Sequence, residues 1–145
     1  MGRDAVSYPC DMPAADLSWS GVVEPVPLAR PRVTRYGRYL PDADRAFREE
    51  LWMCWRLAGF AKRTFQPLQG DLLIGLTFAG STKRRPDLSN LVKAVEDAAN
   101  PSPDGGWQGL WLDDSQIVEL IAQIEDWGPK VTARIDLDVW SATGW

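Results

Sequence analysis

Apolar and polar positions recur along this chain with periods that predict most of its elements. Leu17 to Val23 reads as a first strand. Residues 24–41, EPVPLARPRVTRYGRYLP, hold four prolines and four arginines. Proline withdraws backbone donors and resists helix, so this stretch is expected to be an extended arm, with Tyr36-Gly37 at the tip of a turn. Asp42 or Asp44 can cap a helix running to about Ala58, because Phe47, Leu51, Cys54 or Trp55, and Ala58 recur every three or four residues. Gly59 is its natural stop. Gly70 to Ala79 is a β-rich apolar run, read as a buried strand, and Lys83-Arg84-Arg85-Pro86 follows as a basic loop. From Asp87 to Ala99 the apolar residues Leu88, Leu91, Val92, Val95 and Ala99 fall on one stripe of a second helix. Asn100 to Gly109 is built of turn formers. Asp114 to Ile124 predicts a strand with Val118, Leu120, Ala122 and Ile124 on one face. Val131 to Val139 alternates, with Val131, Ala133, Ile135, Leu137 and Val139 inward and Thr132, Arg134, Asp136 and Asp138 outward.

The order strand, arm, helix, strand, helix, strand, strand is simplest to fold as α+β, a mixed β-sheet of about four strands with two main helices packed on one face. Residues 1–16 are polar and expected to be a flexible tail, leaving residues 17–145 as a single domain. The length of 145 residues fits one hydrophobic core.

Composition narrows the chemistry. No apolar run approaches the ~18 residues of a membrane span, and no secretion signal opens the chain, so a cytoplasmic location is expected. Cys10 and Cys54 are too few for a zinc site or a disulfide framework. The chain has no histidine, which excludes histidine-based triads and general bases. Hydrolysis would have to rest on carboxylates, lysine or a hard metal ion. The net charge of −4 argues at first against a nucleic-acid partner. It is unevenly spread, however. Residues 30–93 carry 13 bases and six acids, whereas residues 94–145 carry two bases and ten acids. A basic face for phosphates beside an acidic cluster for metal is one reading of that split, and mutual neutralisation across a small fold is the other.

The candidate acids lie around the second helix. At ~100° per residue with Asp87 at zero, Asn90 falls near ~300°, Asp97 near ~280° and Lys93 near ~240°, away from the Leu88/Val95 stripe; Ser89 and Glu96 lie further round. Strand alternation then separates Asp113 from Asp114. Asp114 shares parity with the apolar Val118, Leu120 and Ala122, so it is expected to point towards the helices. Each signal has a plainer alternative. Asp87 can be a helix cap, Asp113-Asp114 a turn, and Lys93 and Asp97 a solvated pair.

Taken in order, the arm PVPLARPRVTRYGRYLP, the segment RPDLSNLVKAVEDAAN and the segment GLWLDDSQIVEL resemble the RusA family of Holliday-junction resolvases, small phage and prophage endonucleases. The likeness runs from about Trp19 to Val139. The family pattern is Pro-Asp-x-Asp-Asn-x-x-Lys followed by Asp-Asp-x-Gln-Val/Ile. This resemblance implies a Mg²⁺-dependent enzyme, with Mn²⁺ expected to substitute, that acts as a homodimer on four-way or branched DNA and makes paired symmetric incisions in recombination and repair. It places Asp87, Lys93 and Asp114 in the catalytic set. One position departs from the pattern: Ser89 stands where the family has its second aspartate. Asp97 is the favoured stand-in, giving Asp87, Asp97 and Asp114 as the metal set, with Glu96 the alternative. Arg30, Arg32, Arg35 and Arg38 on the arm and Lys83, Arg84 and Arg85 in the loop would grip phosphates. Gln123 lies where the family often has a basic residue. The missing aspartate also motivates a second reading, a protein that binds branched DNA without cutting it. Trp52 and Trp55 on the first helix are the candidate dimer contacts. The resemblance implies a bacterial or phage-infected host cell as the setting.

Overall fold

The computed structural model describes residues 13–28, 32–34, 37–39 and 42–141. Strand β1 (Leu17–Gly21) is followed by a short hairpin, β2 (Arg32–Thr34) and β3 (Gly37–Tyr39), then helix α1 (Asp42–Leu57). Strand β4 (Leu72–Gly80), helix α2 (Leu88–Ala99), a 3₁₀ turn (Asp114–Gln116), β5 (Ile117–Trp127) and β6 (Arg134–Ser141) complete the chain. The main sheet has the order β1-β6-β4-β5. β4 and β5 are parallel, whereas β6 is antiparallel to both β1 and β4. This is a mixed four-stranded sheet with two helices, the α+β architecture expected from the apolar pattern.

β4 is central because its sequence allows it to be. Leu72, Leu73, Ile74, Leu76, Phe78 and Ala79 are buried, so both faces of the strand are apolar. One face meets Phe47, Leu51 and Trp55 of α1 and Leu91, Val92, Val95 and Ala98 of α2 in a single core. Each of the larger aliphatic and phenylalanine side chains contributes about 1.5–3 kcal/mol of burial free energy. The tryptophans extend this core. Trp55 and Trp107 stack at 5.8 Å, Trp52 stacks on Trp107 at 6.4 Å, and Trp19 meets Trp55 edge-on at 5.8 Å. The loop after α2 is thereby anchored to α1. Trp55 has no exposed surface, so it cannot be the dimer contact that its position suggested. Trp52 is half-buried and donates its indole N–H to the Ala98 carbonyl at 2.7 Å.

Several boundaries differ from expectation for local reasons. Residues 13–16 are not a loose tail. Asp16 donates its N–H to the Val139 carbonyl, and Trp140 donates its indole N–H to the Pro13 carbonyl at 2.8 Å. Residues 1–12 lie outside the described residues. The arm contains a paired hairpin, with Val33 opposite Arg38. Arg30 and Arg35 lie outside the described residues. α1 ends at Leu57, and Gly59 takes φ 99°, a left-handed conformation that lets Phe60 donate back to the Trp55 carbonyl. Asp136 and Asp138 of β6 are each only 2% exposed, although alternation made them solvent-facing. Ser18 donates its hydroxyl to Asp138 at 2.7 Å, and Arg134 lies 3.2 Å from Asp136.

Candidate active site

The β4–α2–β5 unit positions every candidate acid. Because β4 and β5 are parallel, α2 must run back along them, and its two ends lie at opposite ends of these strands. Asp87 is the residue before α2, in extended conformation, and its side chain makes no capping hydrogen bond. The plain cap reading therefore does not describe it. Asp87 and Asn90 open instead into a groove of about 500 Å³, walled by Val26, Arg84, Arg85 and Trp127. The base of the arm is fixed to this groove, since Leu28 donates its N–H to the Asn90 carbonyl at 3.0 Å. Glu24 accepts hydrogen bonds from both the backbone N–H and the hydroxyl of Ser81, which leads into the basic loop. Trp127 lies against Gly80, where a Cβ would come within 2.2 Å of the indole, and donates to Thr82 at 3.1 Å. Lys83, Arg84 and Arg85 are exposed, and among the described residues their charged groups have no acidic partner.

Asp114 sits at the other end of the unit. Leu110 donates to the Ala99 carbonyl at 2.8 Å, and the Trp111 indole donates to Asn100 at 2.9 Å, so the chain leaves the C-terminal end of α2 directly into the Asp113-Asp114 turn. This turn is a 3₁₀ helix with a capping box. Asp113 accepts the Ser115 N–H at 3.1 Å, and Gln116 accepts the N–H groups of Leu112 and Asp113. The Ser115 hydroxyl and then the Ser115 backbone N–H hold the Asp113 carboxyl below its usual range. Asp113 is thus occupied as a cap, and Asp114 is the aspartate left to act on its surroundings. Strand parity was the wrong reason for that distinction. β5 begins only at Ile117, and a register shift isolates Val118 between Ile117 and Glu119. Leu120, Ala122 and Ile124 do face the helices, opposite Ile74, Leu76 and Phe78, while Val118 is 54% exposed.

Asp114 acts electrostatically on two acids of α2. Burial and then the Asp114 charge raise the Glu96 carboxyl above its ordinary value, against the pull of Lys93. Burial and then Asp114 likewise raise Asp97, against Lys93 and Arg48. Glu96, Asp97 and Asp114 form one acidic end with Lys93 as its nearby cation.

The sequence put Asp87, Asn90, Lys93 and Asp97 on one helix face, but the packing divides them. Asp87 and Asn90 line the basic groove. Ser89, Lys93 and Glu96 line a second groove of about 390 Å³ against Leu120 and Ala122. Asp97 turns towards Asp44 and Arg48 of α1. Glu96, rather than the favoured Asp97, therefore shares a groove with Ser89 and Lys93. Distance along the helix is the larger correction. Ten residues separate Asp87 from Asp97, about 15 Å at ~1.5 Å per residue. Ligands of one Mg²⁺ lie within about 2.1 Å of the ion, so these two cannot share one within a chain. The nine residues of β4, at ~3.3 Å each, set the two ends of the unit about 26 Å apart. Among the described residues, no three Asp, Glu, Cys or His side chains converge on one ion position. The oxygen donors are of the type a hard cation takes, but one chain does not close them into a cage.

Comparison with protein families matches residues 23–138 to the endodeoxyribonuclease RusA family. The match covers most of the 145 residues, and the chain belongs to the RusA endodeoxyribonuclease family. No curated protein matches the sequence. The family is one of endodeoxyribonucleases that act on branched DNA. Among the described residues, no helix is long and apolar enough to cross a membrane.

Proposed function

We propose that the chain is a Mg²⁺-dependent, structure-specific endonuclease that resolves four-way DNA junctions as a homodimer, each incision made at a site assembled from two chains. One observation carries the reading: within this family fold, Asp87 has no capping bond and stands at one end of α2, and Asp114 stands at the other. A site that uses both aspartates needs Asp87 of one copy beside Asp114 of a second copy. Two such sites follow from a two-fold axis, and a four-way junction has matching pseudo-symmetry.

In this arrangement Asp87 and the partner's Asp114, with the partner's Glu96, would hold the ion. A divalent ion bound there supplies an activated water and offsets charge on the scissile phosphate. The residues of this chain do the rest. Lys93 offers a positive charge beside the acidic end, where it can balance negative charge that grows on the phosphate oxygens. Lys83, Arg84 and Arg85, together with the arm arginines, hold the backbone in a groove that reads shape rather than sequence. Hydrolysis in line leaves 5′-phosphate and 3′-hydroxyl ends. Action on DNA in a bacterial or phage-infected cell accords with a cytoplasmic location.

The test is a mixing experiment with Mg²⁺ and a mobile four-way junction. Asp87→Asn alone and Asp114→Asn alone should bind the junction without cutting it. Mixed and allowed to exchange subunits, they should regain nicking, because half of the sites in each mixed dimer carry both aspartates. No regained activity beside an active wild type would sink the two-chain site. An inert wild type in both Mg²⁺ and Mn²⁺ would sink the nuclease reading. It would favour the second one, a binder of branched DNA, which Ser89 in place of a carboxylate supports.

A further inference from the structure

The outer edge of β5 is where the second copy would attach. β5 is the last strand of the main sheet, eleven residues long, and among the described residues nothing pairs with its outer edge. Such an edge presents a row of unpaired backbone groups that readily pairs with another strand. Its regular stretch runs from Glu119 to Ile124, between register shifts at Val118 and Glu125. Leu112, Val118 and Leu120 near it are 53%, 54% and 46% exposed. An apolar groove of about 390 Å³ opens beside the strand between Leu88, Val92, Leu120 and Ala122.

Charge determines which occupant fits. The β4–α2–β5 unit is electrically polar. Lys83, Arg84, Arg85 and Lys130 stand where β5 ends and outnumber Asp126 and the Arg134-paired Glu125 there, and Glu96, Asp97, Asp113 and Asp114 stand where it begins. A partner strand running antiparallel, with the same polarity of its own, meets acid with base at both ends. A second copy of this chain has that pattern.

We infer that two copies join edge to edge along β5, antiparallel, about a two-fold axis passing between Ile121 and Ala122, so that the sheets form one continuous eight-stranded sheet. In this register Ile121 lies opposite the partner's Ala122, and Leu120 opposite the partner's Gln123. The acidic turn of each copy comes to the end of the partner's β5, beside the partner's Trp127 and its basic groove. That is the groove into which the partner's Asp87 opens. The inference rests on the two-chain site proposed above and names the surface that builds it.

The experiment uses the full chain without DNA or metal, so it does not depend on catalysis. Sedimentation of the wild type should show a dimer. The double variant Val118→Lys/Leu120→Lys places four like charges around the axis. It should raise the dimer dissociation constant at least about 100-fold, with unchanged far-UV circular dichroism. Should that variant fold poorly, hydrogen exchange on the wild type replaces it. Amides of residues 119–124 should slow as concentration rises through dimerisation. The inference is overturned by a monomeric wild type, by exchange in 119–124 that ignores concentration, or by a folded double variant that stays dimeric. It is also overturned if Met53→Lys/Leu57→Lys, on the exposed apolar face of α1, dissolves the dimer instead. A dimer joined at β5 that cuts no junction would leave this surface standing and remove the nuclease reading alone.

Discussion

The side chain of Gln116 donates to the carbonyl of Leu68 at 3.0 Å, tying the turn that carries Asp114 to the chain entering β4. The same amide donates to Gly70 at 2.9 Å, and its oxygen accepts two backbone N–H groups of the turn. One residue thus satisfies four backbone groups. Gln116→Ala leaves all four without that partner, and each such bond contributes about 0.5–1.5 kcal/mol. Three of the four bonds are exposed, so water replaces them in part, and urea unfolding should show a stability lower by about 1–3 kcal/mol. Cleavage should fall further than stability does, since a shift of ~1 Å in a catalytic group can slow a reaction ~100-fold.

Asp113 and Asp114 should respond oppositely to the same substitution. Asparagine caps about as well as aspartate, so Asp113→Asn should keep both fold and cleavage. Asp114→Asn should bind a junction in a gel shift and leave it uncut. Equal loss in the two variants would show that the capping role of Asp113 is not its main one.

Glu96→Gln removes a half-buried carboxylate that is pushed up by burial and by Asp114. In EDTA at neutral pH the variant should melt a few degrees above wild type. The folded-state value is raised, so the charged form is disfavoured at neutral pH, and the penalty disappears as pH falls through that raised value. The gap between wild type and variant should therefore narrow as pH drops from 7 towards the ordinary glutamate value of about 4.3. A gap that widens on acidification would contradict the assigned cause.

Arg84→Ala and Arg85→Ala should weaken junction binding without changing the melting temperature, since both side chains are exposed and lack acidic partners among the described residues. Each lost phosphate contact should flatten the slope of log K against log salt by about one. Titrations at several salt concentrations measure this directly.

The periodic segments were legible because one physical term dominates each. The Leu88-to-Ala99 stripe has no competitor, and α2 begins and ends within a residue of its predicted range. The apolar run of β4 is likewise decided by burial alone. The acids were harder to read because their meaning depends on how far apart the fold holds them. A helical wheel records angle but not rise, so Asp87 and Asp97 looked like neighbours while standing about 15 Å apart. Parity assumed an unbroken strand from Asp114, whereas the capping box of Asp113 and Gln116 delays β5 to Ile117. Asp-x-x-Gln at a turn was the available sign of that box. Asp136 and Asp138 alternate like solvent-facing residues, yet Ser18 and Arg134 hold them in buried positions that alternation cannot reveal.

Helix α2 sets what lengthening the chain could tolerate. Residues 103–105 are exposed and their hydrogen bonds stay within the loop between Ser102 and Gly106, so an added glycine or serine there need move neither end of the unit. One residue inserted between Leu91 and Lys93 would advance the helix by ~1.5 Å and turn everything after it by ~100°. Lys93 and Glu96 would leave their groove, and Leu91 and Val95 would no longer lie on one stripe. Variation in length belongs in the loops of this protein, and α2 is the part whose residue count is fixed by geometry.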